Sequence, residues 1–227
     1  MRTSVHLLRH GEVHNPTGVL YGRRDGYYLS DLGQQMARRV ADTIADRDIT
    51  ALVSSPLDRA RQTAEPLAVA RSLPVHTDVR VIESTNVFEG KTFGVGDGVL
   101  RKPSSWRHLW NPFRPSWGEP YTQIAARMMA AVYDVRDRAA GHEAVIVSHQ
   151  LPIWVTRLHA EGRRFLHDPR RRQCTLCSLT TFTFEDDTLT TVSYSEPAAD
   201  LIPRQDLNTA FSAGGADEQD LPPMRDG

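Results

Sequence analysis

The stretch SVHLLRHG, residues 4–11, combines a short apolar run with an abrupt polar ending. The same pattern recurs at residues 50–53 (TALV, followed by SSP) and at residues 144–147 (AVIV, followed by SH). Short runs rich in Val, Ile and Leu that end at polar or turn residues are typical of buried parallel strands. The three runs therefore predict three strands of one mostly parallel sheet.

Helical patterns alternate with these runs. From Asp31 onward, apolar residues recur every fourth position through Ile44, which gives a helix one apolar face. Residues 55–58 (SPLD) have the composition of a helix start with a Ser cap, and Pro66 is expected to kink or end that helix. Another apolar stripe covers residues 124–135 and is closed by Gly141.

Strand-like runs at residues 176–184 and 189–194 flank Asp186-Asp187 and predict an antiparallel pair. Because strands and helices alternate through most of the chain, the sequence predicts an α/β fold. Its expected form is three-layered, with a mostly parallel central sheet flanked by helices.

The composition indicates a soluble, cytoplasmic protein of one sizeable domain. The 227 residues are 40% hydrophobic and 24% charged, with a net charge of −1, so no overall field favours nucleic acid or membrane as a partner. No apolar stretch approaches the roughly 18–20 residues that a membrane span needs, and the N-terminal apolar run is too short for a signal peptide. Cys174 and Cys177 are expected to be two buried thiols of a reducing compartment.

Two segments differ from the rest. Residues 87–118 hold three of the four tryptophans, with five basic and two acidic residues, a local balance of +3. An insertion of this length predicts a lid or binding loop, and a surface excursion packed on the core remains the alternative. From Glu196 onward, seven acidic residues and two arginines accompany few large apolar groups, which predicts disorder. We therefore expect a catalytic domain at 1–197, with 87–118 as its basic, Trp-rich lid, and a disordered acidic tail at 198–227.

Candidate functional groups follow the ends of the predicted strands. Arg9 and His10 follow the first run, Arg59 comes soon after the second, and His149 follows the third. Because ligands bind outside the carboxyl ends of parallel strands, these groups would form one cationic pocket. Arg59 lies in the first turn of its helix, where a cation is disfavoured but an anion is favoured. This combination predicts a phosphate-like ligand.

A metal site is the rival interpretation of the histidines. His6, His10 and His14 are spaced by four, which on a helix would place three imidazoles on one face. However, Gly11 and Pro16 interrupt any helix here, and no Asp or Glu cluster completes a ligand set. The sequence therefore favours a phosphate site without metal.

Four segments resemble motifs of the histidine phosphatase superfamily, which includes cofactor-dependent phosphoglycerate mutases and many small phosphatases. They are LLRHGEVHNP (7–16), GRRDGYYLSDLGQQ (22–35), SSPLDRARQTAEPLA (54–68) and VSHQ (147–150), and the similarity covers about residues 3–155. The resemblance implies a phosphoglycerate mutase-like fold and chemistry that needs no cofactor.

The resemblance also implies roles for individual residues. His10 is the expected nucleophile, and Glu83 falls at the position of the general acid, with Glu89 and Glu12 as alternatives. The groups expected to hold the phosphoryl oxygens are Arg9, Asn15, Arg59 and His149, of which His149 is also counted as catalytic. Two features depart from the family: Gln150 stands where Gly is common, and Asn15 lies one position early.

Among the activities of the family, the sequence favours a phosphatase acting on a small phosphorylated metabolite. Ser84-Thr85-Asn86 follows Glu83, whereas mutases carry a basic stretch there. A mutase and a non-catalytic phospho-ligand binder remain alternatives. A nucleic-acid interface at Arg163, Arg164 and Arg170–Arg172 is less favoured than a solvated loop. The Trp-rich segment suits a substrate with an apolar or aromatic body.

Overall fold

The computed structural model describes residues 1–91, 118–168 and 171–202. Within them, one sheet has the strand order β3-β2-β4-β1-β5-β6. Strands β1 to β4 run parallel to one another, whereas β5 and β6 are antiparallel additions beside β1. The strands are β1 (Arg2–Arg9), β2 (Ile49–Ser54), β3 (Val75–Thr77), β4 (Glu143–Ser148), β5 (Leu179–Glu185) and β6 (Thr188–Ser195).

Helices cover both faces of the sheet. They are α1 (Asp31–Thr43), α2 (Asp58–Arg71), α3 (Tyr121–Arg138) and α4 (Gln150–Ala160). One buried cluster joins the sheet to α1 and α2, and the other joins it to α3 and α4. The predicted α/β fold, three layers around a mostly parallel sheet, is confirmed.

The apolar run of β4 explains why it supports two cores. Ala144 and Ile146 belong to the cluster beneath α3, whereas Val145 and Val147 belong to the cluster beneath α1 and α2. Successive side chains of a strand point to opposite faces, so a strand covered by helices on both sides must be apolar at every position.

At the start of α2 one local prediction is wrong, and in its middle the structure excludes one of the two predicted effects of Pro66. The helix begins at Asp58, with Leu57 at the N-cap and no side-chain cap. Ser55 does not cap it in the predicted way, because its hydroxyl lies 2.8 Å from Nε2 of His149. Pro66 does not end the helix, which continues to Arg71. Leu67, immediately beyond this proline, is buried in the core and anchors the helix there.

Two elements are additional to those of the sequence analysis. They are β3 and α4, and α4 follows directly after His149. At the start of the predicted tail, Ala198 is buried and Asp200 forms an ion pair with Arg39. The remaining tail, residues 203–227, and most of the predicted lid, residues 92–117, lie outside the described residues. None of the helices in the described ranges is both long and apolar enough to cross a membrane.

The carboxyl ends of β2, β4 and β1 lie side by side, and backbone pairing continues past them. Ser55 donates its N–H to the carbonyl of Val147 at 2.9 Å, and His10 donates to the carbonyl of Ser148 at 3.1 Å. Residues that immediately follow these strands are therefore held by the sheet itself, which gives their side chains fixed starting points.

Candidate active site at the carboxyl edge of the sheet

A hydrogen bond within its own loop orients the ring of His10, the predicted nucleophile. Nδ1 lies 2.8 Å from the carbonyl oxygen of Gly11. Because a carbonyl oxygen only accepts, Nδ1 carries the proton and Nε2 keeps its lone pair. Burial, followed by the charges of Arg59 and Arg9, holds the pKa of His10 well below its usual value of 6.5. The imidazole is therefore neutral in the tautomer that leaves Nε2 available for attack.

The loop that carries His10 packs closely against the start of α1. A Cβ atom on Gly11 would lie 2.6 Å from the carbonyl oxygen of Gly33, and one on Gly33 would lie 2.1 Å from that of Glu12. The N–H of Gly11 donates to Oγ1 of Thr63 at 3.1 Å. Glycine at both positions thus permits a backbone approach that fixes the loop.

His149 faces His10, with 5.1 Å between the ring centroids. Its Nε2 lies 2.8 Å from Oγ of Ser55, and that oxygen also accepts the N–H of Leu57 at 3.4 Å. The Ser55 hydroxyl can donate to Nε2 or accept from it according to the tautomer, and Nδ1 is buried without a hydrogen-bond partner in the described part of the chain. Burial, followed by the charge of Arg59, also holds the pKa of His149 well below 6.5.

Two buried arginines accompany the histidines. Arg9 donates to the carbonyl of Cys174 at 2.7 Å, and Arg59 donates to the carbonyl of Gly22 at 2.6 Å while its guanidinium lies over the ring of Tyr21. Neither forms an ion pair with the residues described, and the Nε atom of each lacks a partner there. Carbonyl groups fix these side chains without neutralising their charge, so the arrangement suits an anion.

Asn15 has a different immediate role from the other predicted phosphate ligands. Its side-chain amide donates to the carbonyl of Val19 at 2.9 Å, and its oxygen accepts the N–H of Val19 at 3.1 Å. These two bonds close the turn that follows the His10 loop. A contact of Asn15 with phosphate stays a prediction.

Glu83, the predicted general acid, is half-buried and accepts the N–H of Ser84 at 2.8 Å. Burial raises its pKa above the usual value of 4.5, and this effect outweighs the opposing Ser84 bond and the charge of Arg59. A carboxyl group of this kind keeps its proton to a higher pH than an exposed one, which suits an acid catalyst.

The alternative acids have structural partners. Glu12 is buried and accepts the hydroxyl of Ser30, the residue that caps α1. Glu89 accepts the N–H of Asn86 at 3.2 Å. Glu12 therefore supports the start of a helix, and Glu89 closes a turn of its own segment.

An ion-pair network supports the segment of Glu83, and sequence analysis missed it. Arg23 donates to the carbonyl of Glu83 at 2.6 Å, and Arg127 donates to that of Ile82 at 2.7 Å. Both arginines also bind the carboxylate of Glu119, at 3.0 and 2.8 Å. These residues are far apart in the chain and form no local motif, so no sequence signal identifies the network.

The segment before β5 also reaches the site. The carbonyl of Cys174 accepts from both Arg9 and Gln150, at 2.7 and 3.4 Å. The thiols of Cys174 and Cys177 are free and buried, which confirms their predicted state, and burial raises their pKa values to about 11 and about 12. Cys174 thus contributes its backbone to the site.

The solvated-loop interpretation of residues 170–172 is wrong for Arg172. Its side chain is half-buried and donates from Nε to Nε2 of His167 at 2.8 Å. The neighbouring Arg171 is exposed, and Arg170 lies outside the described residues. Arg172 therefore has a fixed hydrogen-bond partner in the fold.

Comparisons with known proteins identify the family of the chain. Residues 5–197 match the model of the histidine phosphatase superfamily (branch 1). An uncharacterised protein of Mycobacterium tuberculosis, Rv0525, is 57% identical over 87% of this chain and 98% of its own length. The probable phosphoglycerate mutase GpmB of Yersinia pestis is 29% identical over 80% of this chain and 85% of its own.

A solved structure of a phosphoserine phosphatase variant from Entamoeba histolytica, in complex with phosphoserine, has a similar fold. It matches with a TM-score of 0.66 and 26% identity, over 84% of this chain and 96% of the other. Since the family model spans most of the sequence and the fold agrees, the chain belongs to the histidine phosphatase superfamily.

Proposed function

We propose that the protein is a metal-independent phosphatase that hydrolyses a small phosphomonoester through a phosphohistidine on His10. The observation that carries this proposal is the state of the His10 ring. Its neutral Nε2 is available while Nδ1 is held by Gly11, and the unpaired charges of Arg9 and Arg59 act on the same ring. A nucleophile and its electrostatic support therefore occur together.

In the first step, Nε2 of His10 attacks phosphorus and the bond to the leaving oxygen breaks. Arg9, Arg59 and Nδ1–H of His149 bind the phosphoryl oxygens, where negative charge is spread in the transition state. Glu83 gives its proton to the leaving oxygen, so the product alcohol departs uncharged. Asn15 assists by fixing the neighbouring turn or by a direct contact with phosphate.

In the second step, water attacks the phosphohistidine. The Glu83 carboxylate accepts a proton from this water, the nitrogen–phosphorus bond breaks, and inorganic phosphate leaves. His10 recovers its lone pair on Nε2 and Glu83 its proton, so the cycle closes without a metal or an external acid.

A phosphoglycerate mutase is the second candidate, and the 29% identity to GpmB supports it. Mutase chemistry uses the same phosphohistidine but returns the phosphoryl group to a sugar acid. The buried Ser84 and its neighbours give no basic side chain directly after Glu83, which favours hydrolysis.

The test is hydrolysis of p-nitrophenyl phosphate at mildly acidic to neutral pH with excess EDTA. We expect turnover by the natural chain and its loss in His10→Ala. His14→Ala is the matched control, because His14 is an exposed histidine of the same loop. Rapid acid-free quenching and peptide mass analysis should find phosphate on the peptide that contains His10.

Each other result has a distinct meaning. Turnover that EDTA abolishes, or that survives His10→Ala, contradicts the proposal. Isomerisation of 3-phosphoglycerate faster than its hydrolysis favours the mutase. Binding of phosphate esters without turnover of any of them identifies a non-catalytic binder.

A further inference from the structure

A third arginine, Arg172, lies near the candidate site, in the segment that precedes β5. Its segment is tied to the proposed site because the carbonyl of Cys174, two residues later, accepts hydrogen bonds from Arg9 and Gln150. Arg172 also interacts electrostatically with Glu83 and Arg9. The half-buried guanidinium is therefore part of the surroundings of the site.

His167 holds this guanidinium from one side. Nδ1 of His167 donates to the carbonyl of Phe165 at 2.6 Å, which leaves Nε2 as the acceptor for Nε of Arg172. The His167 ring itself packs against Trp154 and Tyr121, with centroids 5.8 and 6.0 Å apart. The side chain is thus oriented by a supported partner, and its terminal amino groups form no hydrogen bond with the residues described.

The charge of Arg172 is not balanced by a permanent partner. Among the described carboxylates, none lies within ion-pair distance of it. Glu83 acts on it electrostatically, but an acid catalyst must carry a proton before it acts and cannot then neutralise a cation. A partly buried cation in this situation is stabilised when an anion arrives with the substrate.

Contacts between segments place Arg172 beside the segment of Glu83. The His167 ring that holds Arg172 lies 6.0 Å from the ring of Tyr121. Glu119, two residues before Tyr121, donates its N–H to the carbonyl of Thr85 at 3.3 Å.

The general acid protonates the leaving oxygen, so Glu83 marks the side on which the leaving group lies. In the proposed mechanism, Arg9, Arg59 and His149 bind the transferred phosphoryl group. An anion bound by Arg172 is therefore carried by the leaving group.

We propose that Arg172 is a specificity residue that binds a second anionic group of the substrate, a carboxylate or a second phosphate, on its leaving group. This inference rests on the proposed function, since it uses the same site and the same acid. It narrows the substrate class to phosphomonoesters with a further acidic group. The planar guanidinium suits either anion because it donates two parallel hydrogen bonds.

The test compares 3-phosphoglycerate with glycerol 3-phosphate, which replaces the carboxylate by a hydroxymethyl group, and with propane-1,3-diol bisphosphate. The ratio of kcat/KM for each ester with a second acidic group to that for glycerol 3-phosphate is measured in the natural chain and in Arg172→Gln. We expect the ratio to fall about 10- to 100-fold in Arg172→Gln, the range for a lost charged hydrogen bond. Arg172→Lys should restore part of it.

Arg171→Gln is the matched control, because Arg171 is the exposed neighbour, and its ratio should equal that of the natural chain. A lower kcat/KM ratio for only one of the two esters with a second acidic group identifies which anion the site prefers and supports the inference. An unchanged ratio in Arg172→Gln overturns it. An equal loss for all substrates with a shifted pH profile also overturns it, because Arg172 would then act on Glu83.

Binding separates this inference from the proposed function. Calorimetry measures the affinity of 3-phosphoglycerate for His10→Ala and for His10→Ala/Arg172→Gln, neither of which needs turnover. A 10- to 100-fold weaker Kd in the double variant supports the role of Arg172 even if the natural chain hydrolyses nothing. Equal affinities overturn it even if p-nitrophenyl phosphate is hydrolysed.

Discussion

Two polar clusters of the same sheet differ in whether their buried groups have partners of opposite charge. Near the amino edge, His6 is fully buried, and its two ring nitrogens lie 2.8 Å from Thr181 and 2.8 Å from Glu143. Glu143 in turn interacts with Arg47 at 3.4 Å. Every polar group that the fold buries in this cluster has a partner of suitable charge or hydrogen-bonding type.

At the carboxyl edge, the equivalent groups have hydrogen-bond partners but no ion-pair partners among the described residues. Arg9 and Arg59 have carbonyl groups but no carboxylate among the described residues, and the pKa values of His10 and His149 are pushed down. Paired polar groups add stability, whereas unpaired cations cost stability and create affinity for an anion. The two clusters therefore differ in charge pairing, and this difference marks the carboxyl edge as the candidate site without reference to any motif.

Arg59→Met should give the largest contrast between activity and stability. We expect kcat/KM for p-nitrophenyl phosphate to fall about 100- to 1000-fold, because a donor to the transition state is lost. The free energy of unfolding should fall by less than about 1 kcal/mol or rise, because an uncompensated buried charge is also removed. Arg61→Met, an exposed site on the same helix, is the control for both measurements. A variant that loses stability but keeps activity would contradict the assignment of Arg59.

Inorganic phosphate should stabilise the natural chain through the same cations. At a phosphate concentration 100 times its Kd, the expected gain in the free energy of unfolding is about 2.7 kcal/mol. The gain should be much smaller in Arg59→Met when both are followed by urea denaturation. Chloride at equal ionic strength gives the control, and equal stabilisation by both salts would show that the cations do not bind phosphate specifically.

His6→Leu tests the paired cluster at the opposite edge of the sheet, where stability should fall and activity should stay nearly unchanged. Removing the imidazole leaves Thr181 and Glu143 without their partner, and we expect a loss of about 1–3 kcal/mol in the free energy of unfolding. Below the unfolding temperature, kcat/KM should stay within about twofold of the natural chain. His142→Ala, which removes an exposed pair with Asp48, should cost less than about 1 kcal/mol. A large loss of activity in folded His6→Leu would show that the edges are coupled.

The pH dependence of stability should reflect the lowered pKa of His10 at the carboxyl edge. The folded pKa of His10 lies well below 6.5, so the unfolded chain binds the proton at a higher pH than the folded one. Neutral His10 therefore contributes to the free energy of unfolding above about pH 6.5. This contribution is lost as the pH falls toward the lowered folded pKa, by at most about 1.4 kcal/mol per pH unit for each proton. Urea denaturation at pH 7.5, 6.5 and 5.5 should show a smaller decrease in His10→Gln than in the control His76→Gln. Identical slopes in the two variants would contradict the lowered pKa.

The fold follows from the sequence where a pattern is long enough to show its period. α1 repeats an apolar residue over three turns, and β4 is apolar at all four positions between Glu143 and Ser148 because helices cover both of its faces. β3 has only three residues, of which two are exposed, so no period can appear. Pro66 shows that tertiary packing can outweigh a local rule, since the helix continues to Arg71.

The candidate site follows from the sequence only where its residues stand directly at strand ends. His10 and His149 follow their strands immediately, and the parallel topology brings them together. Ser55 also follows a strand, but its hydroxyl serves His149 instead of the predicted cap. Arg172 and the Glu119 network depend on contacts between distant parts of the chain, and neither composition nor spacing records such contacts.

The position of β1 between β4 and β5 has a consequence for the order of assembly. β1 begins at Arg2, whereas its two partner strands begin at Glu143 and Leu179, far along the chain. Pairing over such a separation is slow because a long loop must close first. We therefore expect helix formation to precede the recovery of the site during refolding. A chain interrupted before β4 therefore retains the His10 segment without the two strands that hold it in place.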